Sequence, residues 1–562
     1  MKRRNPAASE AVLQGILFGR TAALLALGCA CLSPTLLAHG RLVTTDLPIT
    51  LAFITVLITY ARLLGRITWG RLLCALLAID ALCLVKFSWP VVAPPLIVMA
   101  ACAVIRRRPI AFALRPLRRS VHVDGAHKEF AINHRGGRML VFGLIALLSL
   151  TSMYGAIWCC YGLRYAASAE GAAAQAGLTA QGSRGREVAT ERQAAWDMTM
   201  RDKSGKPLKG LVADFVRWAR DRRFLPEAYV YGLAFTRKTV EGQVTYLLGK
   251  TPDGGRLSYF PIAFAIKTPI AIFLLLGAGI AAAWGPAKLR CRDPVLMCGL
   301  VTFVITYLAV IVSSDLNLGH RHLLPCYAPF MILCGRGAAW LSHKIARWFV
   351  LAPVGLLAYA NISIYPHYLC YFNELVGGPA NGHHYLRDSN IDWGQDLKRL
   401  ADFARRHPAD KIKLAYFGSA DPKKYGIECE MMPSQLDFGG TPAALTAGTY
   451  IVSANQLCGL YTRQIRDSFW QREINQQQYR TMAERFSQPP RNDLTNTQRA
   501  ARDRAKRRFE EAQRWLLLNR LSRRVPDERI GWSMFVFRLS QTDVDYLVRN
   551  PKHAPEGTAT TD

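Results

Sequence analysis

The stretch MLVFGLIALLSLTSMYGAIWCC, residues 139–160, contains no charged side chain. As a helix, a run of about 20 apolar residues is long enough to cross the roughly 30 Å of hydrocarbon in a lipid bilayer. Basic residues precede this stretch, and a long hydrophilic segment comes after it. It therefore predicts a transmembrane helix and an integral membrane protein.

Eight further segments of the 562-residue chain are predominantly apolar, at 11–37, 47–64, 70–85, 89–105, 260–284, 294–312, 323–341 and 348–364. The pattern predicts an α-helical polytopic membrane protein with about nine spans. Segments 70–85 and 89–105 are short, and the second contains three prolines. A re-entrant hairpin is the alternative for this pair.

Basic residues are distributed unevenly among the loops. The loop 106–138 holds nine Lys or Arg against two acidic residues, whereas the links at 38–46, 86–88 and 313–322 hold one Lys or Arg each. By the positive-inside rule, the loop 106–138 lies in the cytoplasm. We therefore predict a cytoplasmic N-terminus and an extracytoplasmic C-terminus.

This topology predicts five parts: an N-terminal transmembrane bundle of five spans (1–160), an extracytoplasmic loop domain (161–258), a second bundle of four spans (259–364), an extracytoplasmic α/β domain (365–549) and a disordered tail (550–562). In the α/β domain, Lys411–Phe417 and Thr449–Ser453 have the pattern of short buried strands. Residues 394–407 and 495–524 are predicted helices, the second one charged and exposed.

The formal net charge of +31 favours contact with anionic lipid head groups or anionic glycans. Nucleic acid is not an expected partner, because the sequence has no nucleic-acid-binding motif. Most of the 14 cysteines fall in or beside apolar segments. Cys429 and Cys458 lie in the α/β domain and are candidates for a disulfide in an oxidising compartment. Their spacing matches no zinc motif.

The stretch SPTLLAHGRLVTTDLP, residues 33–48, places His39, Arg41 and Asp46 at the outer end of a predicted two-helix hairpin. A carboxylate at the boundary between water and lipid can act as a general base. Alternatively, Asp46 only caps the next helix, with Pro48 in its first turn. The two roles are compatible.

Several cationic side chains are predicted at the same outer boundary. Lys86 either binds a lipid phosphate or extends its ammonium to the head groups. Arg321, between two histidines in HRH at 320–322, is placed to bind a phosphate at the start of a helix, with His322 beside it. Lys267 is a weaker candidate of the same kind. Asp80 lies in the middle of an apolar segment, where a carboxylate is costly, and is expected to pair with a buried cation.

The run DSNIDWGQD at 388–396 has the acidic spacing of a calcium loop. It departs from the EF-hand pattern, with Trp393 where glycine is needed and Arg399 where the bidentate glutamate belongs. A helix-capping loop, or a polar surface that contacts the membrane domain, is the favoured interpretation.

These segments also resemble a known family. Residues 38–46, Lys86, LPEAYVYG at 225–232, YFP at 259–261, IKTP at 266–269 and GHRHLLP at 319–325 resemble the GT-C glycosyltransferases of the protein O-mannosyltransferase and aminoarabinose-transferase type. YFNE at 371–374, DSNIDWGQD at 388–396 and YFGSAD at 416–421 resemble the C-terminal domain of a bacterial subgroup of these membrane proteins. The resemblance extends from about residue 15 to about residue 540.

The resemblance implies an inverting transferase in the bacterial inner membrane. It would take a sugar from a polyprenyl-phosphate donor and transfer it to a hydroxyl of a protein, lipid or glycan on the outer face. Asp46 would be a catalytic carboxylate, and Lys86 and Arg321 would contact the donor phosphate, with His39 and His322 in the binding site. The resemblance names no cofactor and no metal site.

One feature of the family is missing. Its first outer loop carries an Asp-Glu pair whose aspartate is the main catalytic base, and that loop precedes the region equivalent to residues 1–35. Here the Asp-Glu pair is Asp527-Glu528, which is expected to be a surface turn. The expectations are a truncated gene product, a misplaced start or an inactive relative. A non-catalytic protein that binds polyprenyl phosphate or scaffolds an envelope assembly is the alternative function, and a transporter is disfavoured because no inverted repeat is present.

Overall fold

The computed structural model describes residues 17–106, 110–112, 130–132, 134–167, 192–202, 205–240, 244–252, 254–284, 291–434, 442–459, 462–488, 495–549 and 551. Most of the predicted basic loop, residues 168–191 of the predicted loop domain and nearly all of the predicted tail lie outside these residues.

Helices dominate the described residues, and each apolar segment of the first 364 residues overlaps at least one of them. In this part they are α1 (Arg20–Leu32), α2 (Pro34–Gly40), α3 (Asp46–Gly65), α4 (Trp69–Val85), α5 (Ala93–Ile105), α6 (Arg135–Cys160), α7 (Leu211–Asp221), α8 (Glu227–Val240), α9 (Tyr259–Lys267), α10 (Ile270–Ala281), α11 (Pro294–Val312), α12 (Leu324–Arg336) and α13 (Trp348–Ile364). In the C-terminal part they are α14 (Gly382–Tyr385), α15 (Leu397–Arg406), α16 (Asp467–Trp470), α17 (Glu473–Ser487), α18 (Asn496–Leu521) and α19 (Gln541–Arg549).

Three of these helices, α3, α6 and α11, are long and apolar enough to cross a membrane. The number rises to five among the described residues if two bent pairs each count as one span. Helices α1 and α2 meet at 64°, and α9 and α10 meet at 101°. A proline begins α2 and another, Pro269, separates α9 from α10; proline lacks the N–H that a continuous helix needs at that point. A helical chain with apolar spans is thus confirmed, while nine crossings stay a prediction.

The helical core is built around α3. Phe53, halfway along this helix, is fully buried, and its ring lies 4.9 Å from that of Phe303 and 5.9 Å from that of Tyr307, both on α11. Helix α6 is different, because its leucines at positions 140, 144 and 147 are more than half exposed. A row of exposed leucines along an apolar helix is typical of a helix that faces lipid.

The C-terminal part contains a five-stranded mixed sheet. Its strands are β4 (Ile412–Ala415), β5 (Glu430–Met431), β6 (Gly448–Ser453), β7 (Glu528–Ile530) and β8 (Met534–Leu539), while β1 (Arg66–Ile67), β2 (Ile110–Phe112) and β3 (Phe130–Ile132) form a separate small sheet. The strand order is β5-β4-β6-β8-β7, with β4 parallel to β5 and β6, and β8 antiparallel to β6 and β7. Helix α15 packs its apolar residues on this sheet. The two strands and the first helix predicted in this part are therefore present.

Helix α18 departs from its prediction. It begins with a capping box, in which Thr495 and Gln498 bond to each other's backbone, as its sequence indicates. However, Phe509 and Leu516 are buried in a cluster with Trp470 and Tyr479, and Leu517 and Leu518 are buried in the main hydrophobic core. The C-terminal half of the predicted exposed helix is part of a hydrophobic core, because its apolar residues gather after position 508.

Two smaller predictions concern the C-terminal part. Cys429 and Cys458 are not joined in a disulfide: Cys429 Sγ lies 3.9 Å from the Met431 sulfur, and the Cys458 thiol donates to the Asn455 carbonyl at 3.2 Å. The disulfide for which these two cysteines were candidates is therefore absent from this structure. Asp527 and Glu528 enter an edge hairpin, where Glu528 pairs with Arg538 at 2.9 Å. The pair lies at the edge of the sheet, but Glu528 begins strand β7, so the turn predicted for these two residues is wrong.

Candidate functional site

Asp46 is the centre of the candidate site. It is the first residue of α3, its side chain is only 3% exposed, and its carboxylate accepts a hydrogen bond from Lys86 Nζ at 2.7 Å. Arg321 Nη1 approaches the other carboxylate oxygen at 3.5 Å. No side chain caps α3 at Thr45, its N-cap residue, so the interpretation of Asp46 as only a helix cap is wrong.

Lys86 reaches Asp46 from the end of α4. Helix α4 ends at Val85, and Lys86 continues in an extended conformation that turns its side chain back toward α3. The side chain is 27% exposed, and its ammonium is bound to the carboxylate. Lys86 therefore does not extend freely outward, which was the alternative to phosphate binding.

Arg321 enters from a short 3-10 turn, His320–Leu323, that precedes α12. Its guanidinium carbon lies 4.9 Å above the ring of Trp393, which belongs to the C-terminal part of the chain. Arg321 Nε is buried and has no hydrogen-bond partner among the described residues. A guanidinium stacked on an indole keeps its N–H groups directed sideways, where an anion can be bound.

His39 and His322 lie close enough to Asp46 to interact with its charge. Both are buried, and His39 Nδ1 and His322 Nε2 lack hydrogen-bond partners among the described residues. Burial, followed by the charges of Lys86 and Arg321, lowers the pKa of His322 to about 3. At neutral pH this imidazole is neutral, so Arg321 carries the charge of the 320–322 motif.

His320 and Lys267 have structural partners. His320 Nε2 lies 3.0 Å from the hydroxyl of Tyr327, and its backbone N–H donates to Asn390 at 2.8 Å. Lys267 is buried, and its ammonium donates to the carbonyls of Leu369 and Asn390, each at 2.7 Å. Lys267 thus connects α9 to the C-terminal part of the chain.

The loop 388–396 contacts the helical domain, as the favoured interpretation of its sequence predicted. Asn390 donates to the hydroxyl of Tyr259 at 3.0 Å, and Ser389 donates to the carbonyl of Leu318 at 2.6 Å. The carboxylates of the loop bind protein groups: Asp392 accepts from Ser453 and from the Gly394 N–H. The loop therefore has the acidic spacing of a calcium loop but not the ligand geometry of an EF-hand.

Asp80 has a different partner from the expected one. Its carboxylate accepts a hydrogen bond at 2.7 Å from the hydroxyl of Ser152 on α6. A hydroxyl takes the place of the predicted cation, so the pair joins α4 to α6 without an ion pair. Asp80 is not part of the candidate site.

The five residues predicted for the site are brought to one region, but its other components were not found from the sequence. Trp393 stacks on Arg321 from 72 positions away, and Asn390 fixes the backbone of the 320–322 turn. The two cations, Lys86 and Arg321, can bind an oxyanion, and the carboxylate of Asp46 can accept a proton. Comparisons of this chain with protein-family models, with curated proteins and with solved structures gave no match.

Proposed function

We propose that the chain is a membrane glycosyltransferase of the GT-C type. It would transfer a sugar from a polyprenyl-phosphate donor to an acceptor on the extracytoplasmic face. The observation that supports this most is the convergence of Lys86 and Arg321 on the buried carboxylate of Asp46. Two cations at the ends of apolar helices are suited to a phosphate on a lipid chain.

The phosphate of the donor would bind between Lys86 and Arg321. An ammonium acts as a point charge, and a guanidinium can present two parallel N–H groups to a phosphate. In the transfer step, the bond from the anomeric carbon to the phosphate oxygen breaks, and the phosphate leaves with the electron pair. The two cations stabilise the charge that develops on it, so that no general acid is needed.

Asp46 would receive the proton. While it is paired with two cations, its carboxylate is a weak base. A phosphate that draws Lys86 and Arg321 toward itself frees the carboxylate to accept the proton of the acceptor hydroxyl. The acceptor oxygen then bonds to the anomeric carbon on the side opposite the leaving phosphate, which inverts that centre.

A second candidate function is non-catalytic binding of polyprenyl phosphate. One observation favours it: Asp46 is almost completely enclosed, and both of its cations are already engaged. A site of this kind could bind a phosphate without catalysing a transfer. The two candidates share the phosphate contacts and differ in the role of Asp46.

Transfer from a polyprenyl phosphate that carries a radiolabelled sugar, measured in membranes containing the chain, tests the proposal. Arg321→Ala should weaken donor binding by about 10- to 100-fold, the range expected for one lost charge-assisted hydrogen bond. Asp46→Asn should lower kcat by about 100-fold or more and leave donor binding largely intact, since it removes a general base.

Arg405→Ala and Asp402→Asn are matched controls, because these residues form an exposed ion pair on α15. Both controls should keep wild-type transfer. Donor binding that is unchanged in Arg321→Ala contradicts the phosphate site. Phosphate-dependent binding without transfer, measured against the polyprenol that lacks phosphate, supports the second candidate instead.

A further inference from the structure

A cleft of about 1170 Å³ lies apart from the Asp46 site. One side is formed by the hairpin around Leu248 and Gly249, and the other by the C-terminal segments near Asp467 and Arg523. The hairpin is held against the C-terminal part, because the N–H of Leu248 donates to the carbonyl of Tyr385 at 2.8 Å. The cleft is larger than the 300–1,000 Å³ that is typical of a site for one small molecule.

The lining is strongly basic. Among the described residues it contains five Lys or Arg against one acid, Asp467. Asp467 is bound by Arg523 at 2.7 Å and by the side-chain amide of Asn519 at 2.7 Å. The single negative charge is thus already neutralised within the lining, so the cleft keeps an excess of positive charge.

Three of these cations form no ion pair with an acid in the described part of the chain: Lys250, Arg256 and Arg387. Lys250 and Arg256 are exposed. Arg387 donates to the carbonyls of His383 and Ala454 at 2.9 and 3.0 Å, and these neutral partners fix the guanidinium without cancelling its charge. A concave surface with unbalanced charge of one sign concentrates ligands of the opposite sign.

The lining also contains an imidazole, that of His384. Burial, then the charges of Arg387 and Arg529, lower the pKa of His384. His384 therefore stays neutral and can act as a hydrogen-bonding group. An anion bound nearby would oppose the lowering of its pKa.

The rest of the lining suits hydroxyl groups. It includes the side chains of Thr251, Ser258, Ser468, Gln471, Asn519 and Ser522. The ring of Tyr246 is already covered by the guanidinium of Arg387, 4.8 Å from its centroid, so it offers little surface for stacking. Recognition in this cleft depends on charge and hydrogen bonds.

We propose that this cleft binds a polyanionic saccharide, a short chain of sugars that bear phosphate or carboxylate groups. The unbalanced cations bind the anionic groups, and the hydroxyl and amide side chains bind the sugar hydroxyls. Ser258 directly precedes α9, and no described residue of the lining lies within an apolar helix; the hydroxyl and amide side chains of the lining favour a saccharide as the ligand. Binding in the cleft does not depend on sugar transfer.

Binding to the purified full chain in discs of zwitterionic lipid tests the proposal. The probes are a hexameric oligogalacturonate, a phosphorylated oligomannose of similar length and the neutral maltohexaose, each titrated at low and at moderate salt without any polyprenyl phosphate. The wild-type chain should bind at least one anionic probe and should not measurably bind maltohexaose. The stronger of the two anionic probes identifies phosphate or carboxylate as the preferred group.

The double variant Lys250→Gln/Arg256→Gln should weaken binding of the anionic probe by about tenfold, and both changes are at exposed positions that should not disturb folding. The matched control is Lys423→Gln/Lys424→Gln, which removes the same charge from an exposed turn outside the cleft. An equal loss in the control overturns the proposal, because the overall charge of the protein would then explain binding. Equal binding of maltohexaose, or no binding of either anionic probe, overturns it as well. Because no donor is present, failure here leaves the transferase proposal standing.

Discussion

At the scale of single residues, Asp392 shows how the C-terminal part uses buried charge. Its carboxyl group is fully buried, where it accepts hydrogen bonds from Ser453 and from the N–H of Gly394. Burial raises the pKa of Asp392 from 3.8 to about 7, and the negative charges of Asp396 and Asp388 add to the effect. The folded state thus holds a proton on this group that the unfolded state releases at lower pH.

This shift predicts a stability that depends on pH. The folded-state pKa lies above the unfolded value, so the contribution of Asp392 is greatest below about 3.8 and is lost as the pH rises through about 7. Asp392→Asn, which cannot ionise, should therefore flatten the fall in melting temperature between pH 5 and pH 8. Thermal unfolding of the full chain in detergent measures this. An identical slope in the variant contradicts the prediction, and Asp402→Asn is the exposed control.

The sequence was enough to predict most of the residues of the candidate site, but it did not predict which side chains they contact. The sequence places Asp46, Lys86 and Arg321 near the ends of apolar segments, and the structure brings them together. The ring of Trp393 under Arg321 results from long-range packing, which has no local pattern. The same holds for Asp80, where composition predicted a charged partner and packing supplied Ser152.

At the scale of elements, periodicity and length predicted most helices but not how they combine into spans. The apolar segment 260–284 is continuous in composition, yet Pro269 divides it into α9 and α10 at 101°. A proline in an apolar helix produces anything from a mild kink to a break, depending on whether another group takes up the carbonyls that it leaves free. Here that group is the side-chain amide of Asn373, more than 100 residues away. The local sequence therefore could not predict whether the helix would kink or break.

Helix α7 exposes large apolar side chains at the surface of the protein. Leu211 is 88% exposed, and Phe215 and Trp218 on the same helix are also exposed. Its continuation packs on α6, where the ring of Phe224 lies 5.2 Å from that of Tyr154. Aromatic residues beside the end of an apolar helix are typical of the interface between lipid and water.

We therefore expect α7 to lie in the head-group layer at the outer end of α6. The test compares tryptophan emission of the wild-type chain and the Trp218→Phe variant in vesicles with and without brominated phosphatidylcholine. Lipid bromine should already quench Trp218 in the brominated vesicles. The substitution should therefore remove less emission there than in the unbrominated vesicles. Trp470 is buried in the C-terminal part and serves as the control, with an equal loss in both kinds of vesicle. If Trp218 behaves like Trp470, α7 faces water and the predicted orientation of this end of α6 loses its support.

At the scale of the whole molecule, Asn373 joins the helical and C-terminal parts. The side-chain amide donates to the carbonyls of Ala265 and Thr268 at 2.6 and 2.9 Å, and the backbone N–H donates to the carbonyl of Ile266 at 2.9 Å. Ala265 would bond to the N–H of residue 269 in a continuous helix, and Pro269 has none. One residue of the C-terminal segment thus satisfies the carbonyls that the break between α9 and α10 exposes.

This arrangement predicts that docking of the C-terminal part and the shape of the α9–α10 pair are coupled. Asn373→Leu keeps the size of the side chain, removes the donor to the Ala265 carbonyl, and leaves the buried carbonyl of Thr268 without this donor, at a cost of about 1–3 kcal/mol for the buried group. The melting temperature should fall, and limited proteolysis should cleave the chain faster between residues 365 and 373. Asn475→Leu is the control, because Asn475 bonds to the Phe469 carbonyl within the C-terminal part alone and should leave that cleavage unchanged. A variant Asn373→Leu that melts and is cleaved like the wild-type chain would show that the two parts are held together by other contacts, such as those of Lys267.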